Sequence, residues 1–209
     1  MRYRAYKKSI TRLKEYIRSG DVYIANMTQR FYCHNEEDSF TIYKKLRKIN
    51  KAPFSAYLNF NDFQIISSSP ERFIQIKERI AHTRPIKGTR PRGSSAEEDE
   101  RNKLELINSE KDKAELLMIV DLERNDFSKV CKAGTVKVKE LFALEEYATV
   151  FHLVSTIEGE LEDNISAVKV MEECFPGGSI TGAPKIRAME IIEELEEYIN
   201  EFEASQDVI

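Results

Sequence analysis

Cysteine is scarce in this chain, and its three residues, Cys33, Cys131 and Cys174, are an odd number at wide, irregular spacing. That pattern fits neither a disulfide framework nor the paired CxxC of a zinc site, so the thiols read as reduced and cytosolic. Long apolar runs are missing as well. No stretch approaches the roughly 18 apolar residues needed to span a bilayer, and the opening MRYRAYKKSITRLKEYIRSGD has no continuous apolar core of signal-peptide length. The sequence therefore predicts a soluble, cytoplasmic protein without a membrane partner. An excess of one charge sign is also absent: 32 basic against 36 acidic side chains leave a formal net charge of -4, so no whole-chain field draws nucleic acid or an acidic membrane. No internal repeat is visible. What is there, 209 residues of which 41% are hydrophobic and 33% charged, suffices to bury a core in one domain or at most two. The expected partner is a small molecule or another protein.

Tyr6, Ile10, Leu13 and Ile17 recur at helical spacing and stop at Gly20, where a helix end is expected. Residues 22–32, rich in aromatic and branched side chains, predict a strand, and a helix carrying Phe40, Tyr43, Leu46 and Ile49 follows. Pro53 restarts extended structure, and the runs 54–60 and 63–68 around Asn59, Asn61 and Asp62 predict an antiparallel hairpin. Further strands are expected at 72–77 and 80–83. The small, polar stretch 93–99 reads as a loop into a helical region over 97–125 with a break near Ser109. Strands at 135–141 and 148–157, a helix over 165–174 and a last helix from Pro184 complete the chain. Strands cluster as hairpins instead of alternating singly with helices, which predicts an α+β fold of antiparallel β-sheets flanked by helices.

Five places carry residues suited to chemistry. In RPIKGTRPR, proline and glycine suggest a turn, and Lys87 is ringed in sequence by Arg84, Arg90 and Arg92. Neighbouring cations and burial disfavour a charged lysine and favour a nucleophile, whereas the plain alternative is a basic loop or anion clamp. In SSSPERF, Glu71 closes a strand and suits a general acid if partly buried; an exposed Glu-Arg pair is the other reading. Within AELLMIVDL, Glu115 is either a ligand for a hard cation such as magnesium or a helix-start glutamate favoured by the dipole. Strand alternation in VFHLVST puts Phe151, Leu153 and Ser155 on one face and Val150, His152 and Val154 on the other, leaving His152 as a ligand contact or a satisfied core histidine. Finally, FPGGSITGAPK enters a helix through a glycine-bearing turn that suits a carboxylate, or simply a helix start capped by Thr181.

Taken together and in order, GDVYIANMTQRF, SSSPERF, PIKGTRPRG, KAELLMIVDLERND, GTVKVKELFALEEYATVFHLVSTIEGEL and FPGGSITGAPKIRAMEIIEELE resemble the chorismate-binding enzymes, a family that includes anthranilate, aminodeoxychorismate, isochorismate and salicylate synthases. The resemblance runs over about residues 10–198 and implies that family's antiparallel sheets wrapped by helices, with the active site between them. At the Lys87 position the anthranilate synthases resemble PIAGT, whereas PIKGT resembles the aminodeoxychorismate synthases, in which the lysine attacks C2 of chorismate and ammonia then adds at C4. The resemblance makes Glu71 the general acid, Glu115 a magnesium (Mg2+) ligand, His152 and Thr89 substrate-pocket residues, and Thr181, Gly182 and Ala183 the carboxylate cradle. It also implies a glutamine amidotransferase as the source of ammonia and a place on the route to p-aminobenzoate and folate. Isochorismate and salicylate synthases carry a water-activating lysine where this chain has Ile24, so water addition is disfavoured. Residues 1–198 are expected to form a partial catalytic domain and 199–209 a non-matching tail, with the family's amino-terminal domain and its last part, including a second magnesium-binding glutamate, missing. Anthranilate synthase, and a fragment that only binds chorismate or a partner, stand as the alternatives.

Overall fold

The computed structural model describes residues 2–31 and 33–204, with side chains over 4–31 and 33–196. Helix α1 (Arg2–Ser19) ends as its sequence predicts, with Gly20 N–H bonded to the Ile17 carbonyl and Asp21 N–H to that of Tyr16, a Schellman arrangement. The strand expected over 22–32 is much shorter. Only β1 (Ile24–Ala25) forms, because the backbone hydrogen bonds of this segment go to the loop before the last helix: Tyr23 N to the Ala183 carbonyl and Asn26 N to that of Thr181, both at 2.8 Å. Tyr32, the end of the predicted strand, lies outside the described residues.

Asp38 caps α2 (Ser39–Ile49) by accepting from Thr41 N–H. The predicted hairpin follows as β2 (Phe54–Asn59) and β3 (Gln64–Ser69), an antiparallel pair in unbroken register. Phe40 and Tyr43 of α2 pack their rings on Tyr57 of this hairpin. A second hairpin, β4 (Arg72–Lys77) and β5 (Ile80–Arg84), turns through Glu78 and Arg79, both at positive φ. Past Pro85 the chain continues as β6 (Ile86–Pro91). The long helical region breaks where expected, into α3 (Ala96–Asn108) and α4 (Glu110–Ser128). Ser109 makes that break. Its N–H closes the end of α3 on Leu106 O while its hydroxyl accepts from Asp112 N–H at the start of α4.

Strands β7 (Lys137–Glu146) and β8 (Val150–Glu160) form the longest hairpin, and α5 (Ala167–Cys174), β9 (Gly182–Ala183) and α6 (Lys185–Ala204) complete the chain. Of the expected tail, residues 199–204 continue α6 and residues 205–209 lie outside the described residues. β8 is the axis of the main sheet: β7 pairs along one edge, β5 and then β6 along the other, and β4 extends the sheet beyond β5. All these pairings are antiparallel, and the fold is the α+β arrangement that the sequence predicts. Helix α4 lays Leu116, Val120 and Phe127 against Phe151, Leu153 and Ile157 of β8 in one core. Each of these fully buried apolar side chains contributes about 1.5–3 kcal/mol by leaving water. A smaller core joins α1 to α6 through Leu13, Val22, Ala188, Ile191 and Leu195. The loop between α5 and α6 is thereby held between the two cores.

Candidate active site

Lys87 sits on a bulge. β6 pairs Ile86 with Val154 and then Thr89 with His152, so three steps on one strand oppose two on the other. Gly88 absorbs the extra residue at φ +83, and a Cβ there would meet Asp112 and Leu106 side-chain atoms at 2.9 Å. The turn expected at PIKGT is thus a bulged strand. The proline lies before it and the glycine supplies the bulge. The Lys87 ammonium donates to the Ser179 carbonyl at 2.9 Å.

The three arginines that surround Lys87 in sequence do not surround it as free charge. Arg84 pairs with Glu145 and Glu140, Arg90 with Glu105 at 2.8 Å and Asp112 at 3.1 Å, and Arg92 with Asp99 at 2.6 Å, where it holds the Asp99 carboxyl down at about 2. Each is neutralised by its own carboxylate, which corrects the electrostatic argument drawn from sequence adjacency.

Glu71, in the turn between β3 and β4, is brought to the same place. Burial raises its carboxyl above the ordinary glutamate range, and the Ser179 hydroxyl, the Lys87 ammonium and the Ile86 backbone N–H oppose that rise. It is not in an exposed ion pair with its neighbour: the Arg72 guanidinium stands 5.4 Å over the Phe54 ring instead. The Ser179 hydroxyl is buried and makes no hydrogen bond of ordinary geometry among the described residues. Glu71, Lys87 and Ser179 therefore converge from three separate segments.

The loop that carries Ser179 is built on backbone contacts. Thr181 donates its hydroxyl to the Gly177 carbonyl at 3.0 Å, so it closes the short 3-10 turn at 178–180 and does not cap α6. Gly182 lies where backbone meets backbone, and a Cβ there would fall 2.1 Å from the Ile24 carbonyl oxygen. Ala183 pairs with Ile24 beside it. Asn26, which sequence reasoning passed over, donates its amide to the Ser179 carbonyl at 3.1 Å and to the Thr181 carbonyl at 3.4 Å. Its one signal in the sequence is an amide amid the otherwise apolar VYIAN.

His152 stands on β8 with its Nδ1 2.9 Å from the Thr89 hydroxyl and its ring edge-on to Tyr147. Burial lowers its pKa, opposed by a hydrogen bond to the Gly88 backbone. Two sequence-predicted residues, Thr89 and His152, are thus joined next to the Lys87 bulge. Glu115 is different. It lies in the second turn of α4, past the helix start suggested as its alternative, half-buried and 3.8 Å from Lys111. Among the described residues no group of three or more His, Cys, Asp or Glu side chains is arranged to hold a metal ion.

Behind the site lies a polar cluster the sequence did not reveal. Glu123 is buried on α4, accepts from the Thr83 hydroxyl at 2.8 Å, and is pushed up to about 8 by burial, opposed by that bond and reinforced by the charges of Glu71 and Asp126. One turn on, buried Asp126 takes Lys185 at 2.6 Å, and the same ammonium donates to the Cys174 carbonyl at 3.2 Å. Lys185 therefore ties both ends of the loop at 175–184 to α4. Helical spacing was the available signal: Glu123 and Asp126 fall on the same face of α4 as Leu116, Ile119, Val120 and Phe127.

Residues 1–199 match the chorismate binding enzyme family. The chain is 49% identical over 191 residues to aminodeoxychorismate synthase component 1 of Bacillus subtilis (strain 168), covering 91% of this chain and 41% of that protein. Against anthranilate synthase component 1 of Saccharolobus solfataricus it is 47% identical over 194 residues, covering 93% of this chain and 46% of the relative. The crystal structure of anthranilate synthase component I from Streptococcus pneumoniae TIGR4 superimposes with a TM-score of 0.82 at 33% identity, over 92% of this chain and 42% of that one. The chain spans less than half the length of these relatives. No helix among the described residues is long and apolar enough to cross a membrane. With its antiparallel sheet, its bulged lysine strand and the loop that meets it, the chain belongs to the chorismate binding enzyme family.

Proposed function

We propose that this chain carries the lysine-bearing part of an aminodeoxychorismate synthase, which converts chorismate and ammonia to 4-amino-4-deoxychorismate and water. The observation that carries the reading is the convergence of Lys87 and Glu71 on the Ser179 segment. A carboxyl whose hold on its proton is strengthened by burial suits proton donation to a departing hydroxyl. A lysine one bulge away from His152 and Thr89 suits attack on a ring held between them.

In this mechanism the neutral Lys87 amine attacks C2 of chorismate, the ring double bond shifts, and the C4 hydroxyl leaves as water with the proton of Glu71. The secondary ammonium so formed returns a proton to the Glu71 carboxylate. Ammonia then attacks C4, the double bond shifts back, and the Lys87 nitrogen leaves as the neutral amine with the proton of the Glu71 carboxyl, after which the C4 ammonium returns a proton to the Glu71 carboxylate. His152 and Thr89 orient the ring, and residues 181–183 with the Ser179 turn receive a substrate carboxylate. The ammonia comes from a glutamine amidotransferase partner; the name component 1 of the relatives implies a second component. The product leads to p-aminobenzoate and folate in the cytoplasm, a setting in keeping with three unpaired thiols.

Magnesium belongs to the proposal only as a weakly held ion. When bound it would neutralise a substrate carboxylate, but Glu115 is a single half-buried carboxylate, and one such group leaves magnesium mostly to water. No step above runs through it.

Anthranilate synthase is the second reading, favoured by relatives of nearly equal identity; it eliminates pyruvate and gives an aromatic product. Mass analysis of the products from chorismate, ammonia and magnesium, using a protein completed to the relatives' length, separates the two. Aminodeoxychorismate without pyruvate is expected, and Lys87→Ala should lower kcat far more than it raises KM. Anthranilate with pyruvate, or a Lys87→Ala variant with unchanged turnover, overturns the reading. Chorismate binding without turnover would leave only a ligand-binding fragment.

A further inference from the structure

We infer that Tyr147 and Arg84 are positioning residues for His152: between them they occupy both oxygens of Glu145, the cross-strand neighbour of the histidine, and so leave the imidazole to Thr89 and the substrate side. The geometry is a row across three strands. His152 on β8 faces Thr89 of β6 in one direction and Glu145 of β7 in the other. Directly opposed residues of an antiparallel pair point to the same face, with Cβ atoms about 4.5–5.5 Å apart. A carboxylate so placed is the natural partner for an imidazole and would favour its charged form.

Glu145 does not take that part. Its Oε1 is held by the Arg84 guanidinium, and its Oε2 accepts from the Tyr147 hydroxyl at 2.6 Å. Arg84 is fixed in turn by the Thr156 hydroxyl at 3.1 Å and by Glu140 at 3.5 Å. Tyr147 is fixed at both ends. Its N–H bonds the Val150 carbonyl at 2.9 Å, its own carbonyl accepts from Arg92 at 3.0 Å, and its ring stands edge-on to His152 with centroids 5.5 Å apart. One residue thus walls the histidine and diverts the carboxylate.

The charged groups nearest His152 along β6 and β7 are engaged elsewhere. Lys87 is on the Ser179 carbonyl, Arg90 on Glu105 and Asp112, Arg92 on Asp99, and Glu146 on Lys103. The depressed pKa of His152 has burial as its first cause, opposed by the hydrogen bond to the Gly88 backbone. The consequence for catalysis rests on the proposed function, in which an uncharged His152 orients the ring beside Lys87. The diversion itself does not.

The test is an NMR pH titration of the three histidines in the whole chain, with His152 assigned by its loss in His152→Gln. Tyr147→Phe keeps the ring but frees Glu145 Oε2, and the His152 midpoint should rise by about one unit. Arg84→Gln frees Oε1 and should raise it independently, so the inference stays testable if either variant folds poorly. In a Glu145→Gln background both rises should vanish, while a role in packing alone would shift the signal equally with or without the carboxylate. An unchanged midpoint in both variants, or a rise that survives Glu145→Gln, overturns the inference. A Glu145-dependent rise in a protein that makes no aminodeoxychorismate would sink the proposed reaction and leave this arrangement standing.

Discussion

Lys87 and Asn26 donate to the same acceptor, the Ser179 carbonyl, at 2.9 and 3.1 Å. One donor comes from the bulge of β6 and the other from the segment after β1, so a single carbonyl holds three distant parts of the chain together. Asn26 also reaches the Thr181 carbonyl at 3.4 Å, which makes it a brace for the loop rather than for the lysine alone.

Removing that brace has a measurable cost. Asn26→Ala leaves the Ser179 and Thr181 carbonyls with one donor fewer, and a loss of about 1–2 kcal/mol is expected in urea unfolding. A variant as stable as the parent would mean that the amide is replaced by water without penalty.

Glu123 sets a pH dependence whose sign is fixed by burial. Its carboxyl is pushed up to about 8 in the folded chain, so the folded state holds the proton more tightly than the unfolded state does. The associated stability is full at pH values below the ordinary glutamate range and is lost as pH rises through about 8. Glu123→Gln keeps a neutral acceptor for Thr83 and removes the ionisation. It should match the parent near pH 4 and exceed it by a few kcal/mol, on the order of magnitude that such shifts carry, near pH 9. Urea midpoints at the two pH values check this; a difference that does not grow with pH contradicts the buried carboxyl.

The Asp126 and Lys185 pair is buried on both sides, with 4% and 13% of the side chains exposed, so breaking it should hurt more than deleting it. Lys185→Met leaves Asp126 with only Lys129, at 3.0 Å on its other oxygen, and should cost about 3–5 kcal/mol. The double variant Asp126→Leu with Lys185→Met should recover a large part of that loss in thermal unfolding. Equal destabilisation in single and double variants would show that the lysine acts through its bond to the Cys174 carbonyl.

Magnesium should bind the chain weakly, because among the described residues Glu115 belongs to no group of three or more His, Cys, Asp or Glu side chains arranged to hold a metal ion. Calorimetric titration is expected to show weak binding that Glu115→Gln removes. Tight, stoichiometric binding that survives Glu115→Gln would move the metal elsewhere.

The helices and hairpins of this chain were legible because their determinants are local. Gly20 ends α1, Asp38 caps α2, Ser109 divides α3 from α4, and the turn around residues 59–62 sets the β2–β3 register, each through groups only a few residues apart. Lys87, Glu71 and His152 were also picked out from the sequence, by residue type and ordered motifs. Their surroundings were not. The bond from Lys87 to Ser179 joins residues 92 positions apart, and that from Asn26 to Ser179 joins residues 153 apart, distances at which no spacing rule operates. Only the packed sheet could decide that the PIKGT segment is a bulged strand, that its arginines are each neutralised by a carboxylate from another element, and that residues 22–31 pair for just two residues. The physical reason is common to all three. A helix closes its hydrogen bonds within one turn, but a strand, a bulge or a buried charge takes its partner from whatever the fold brings beside it.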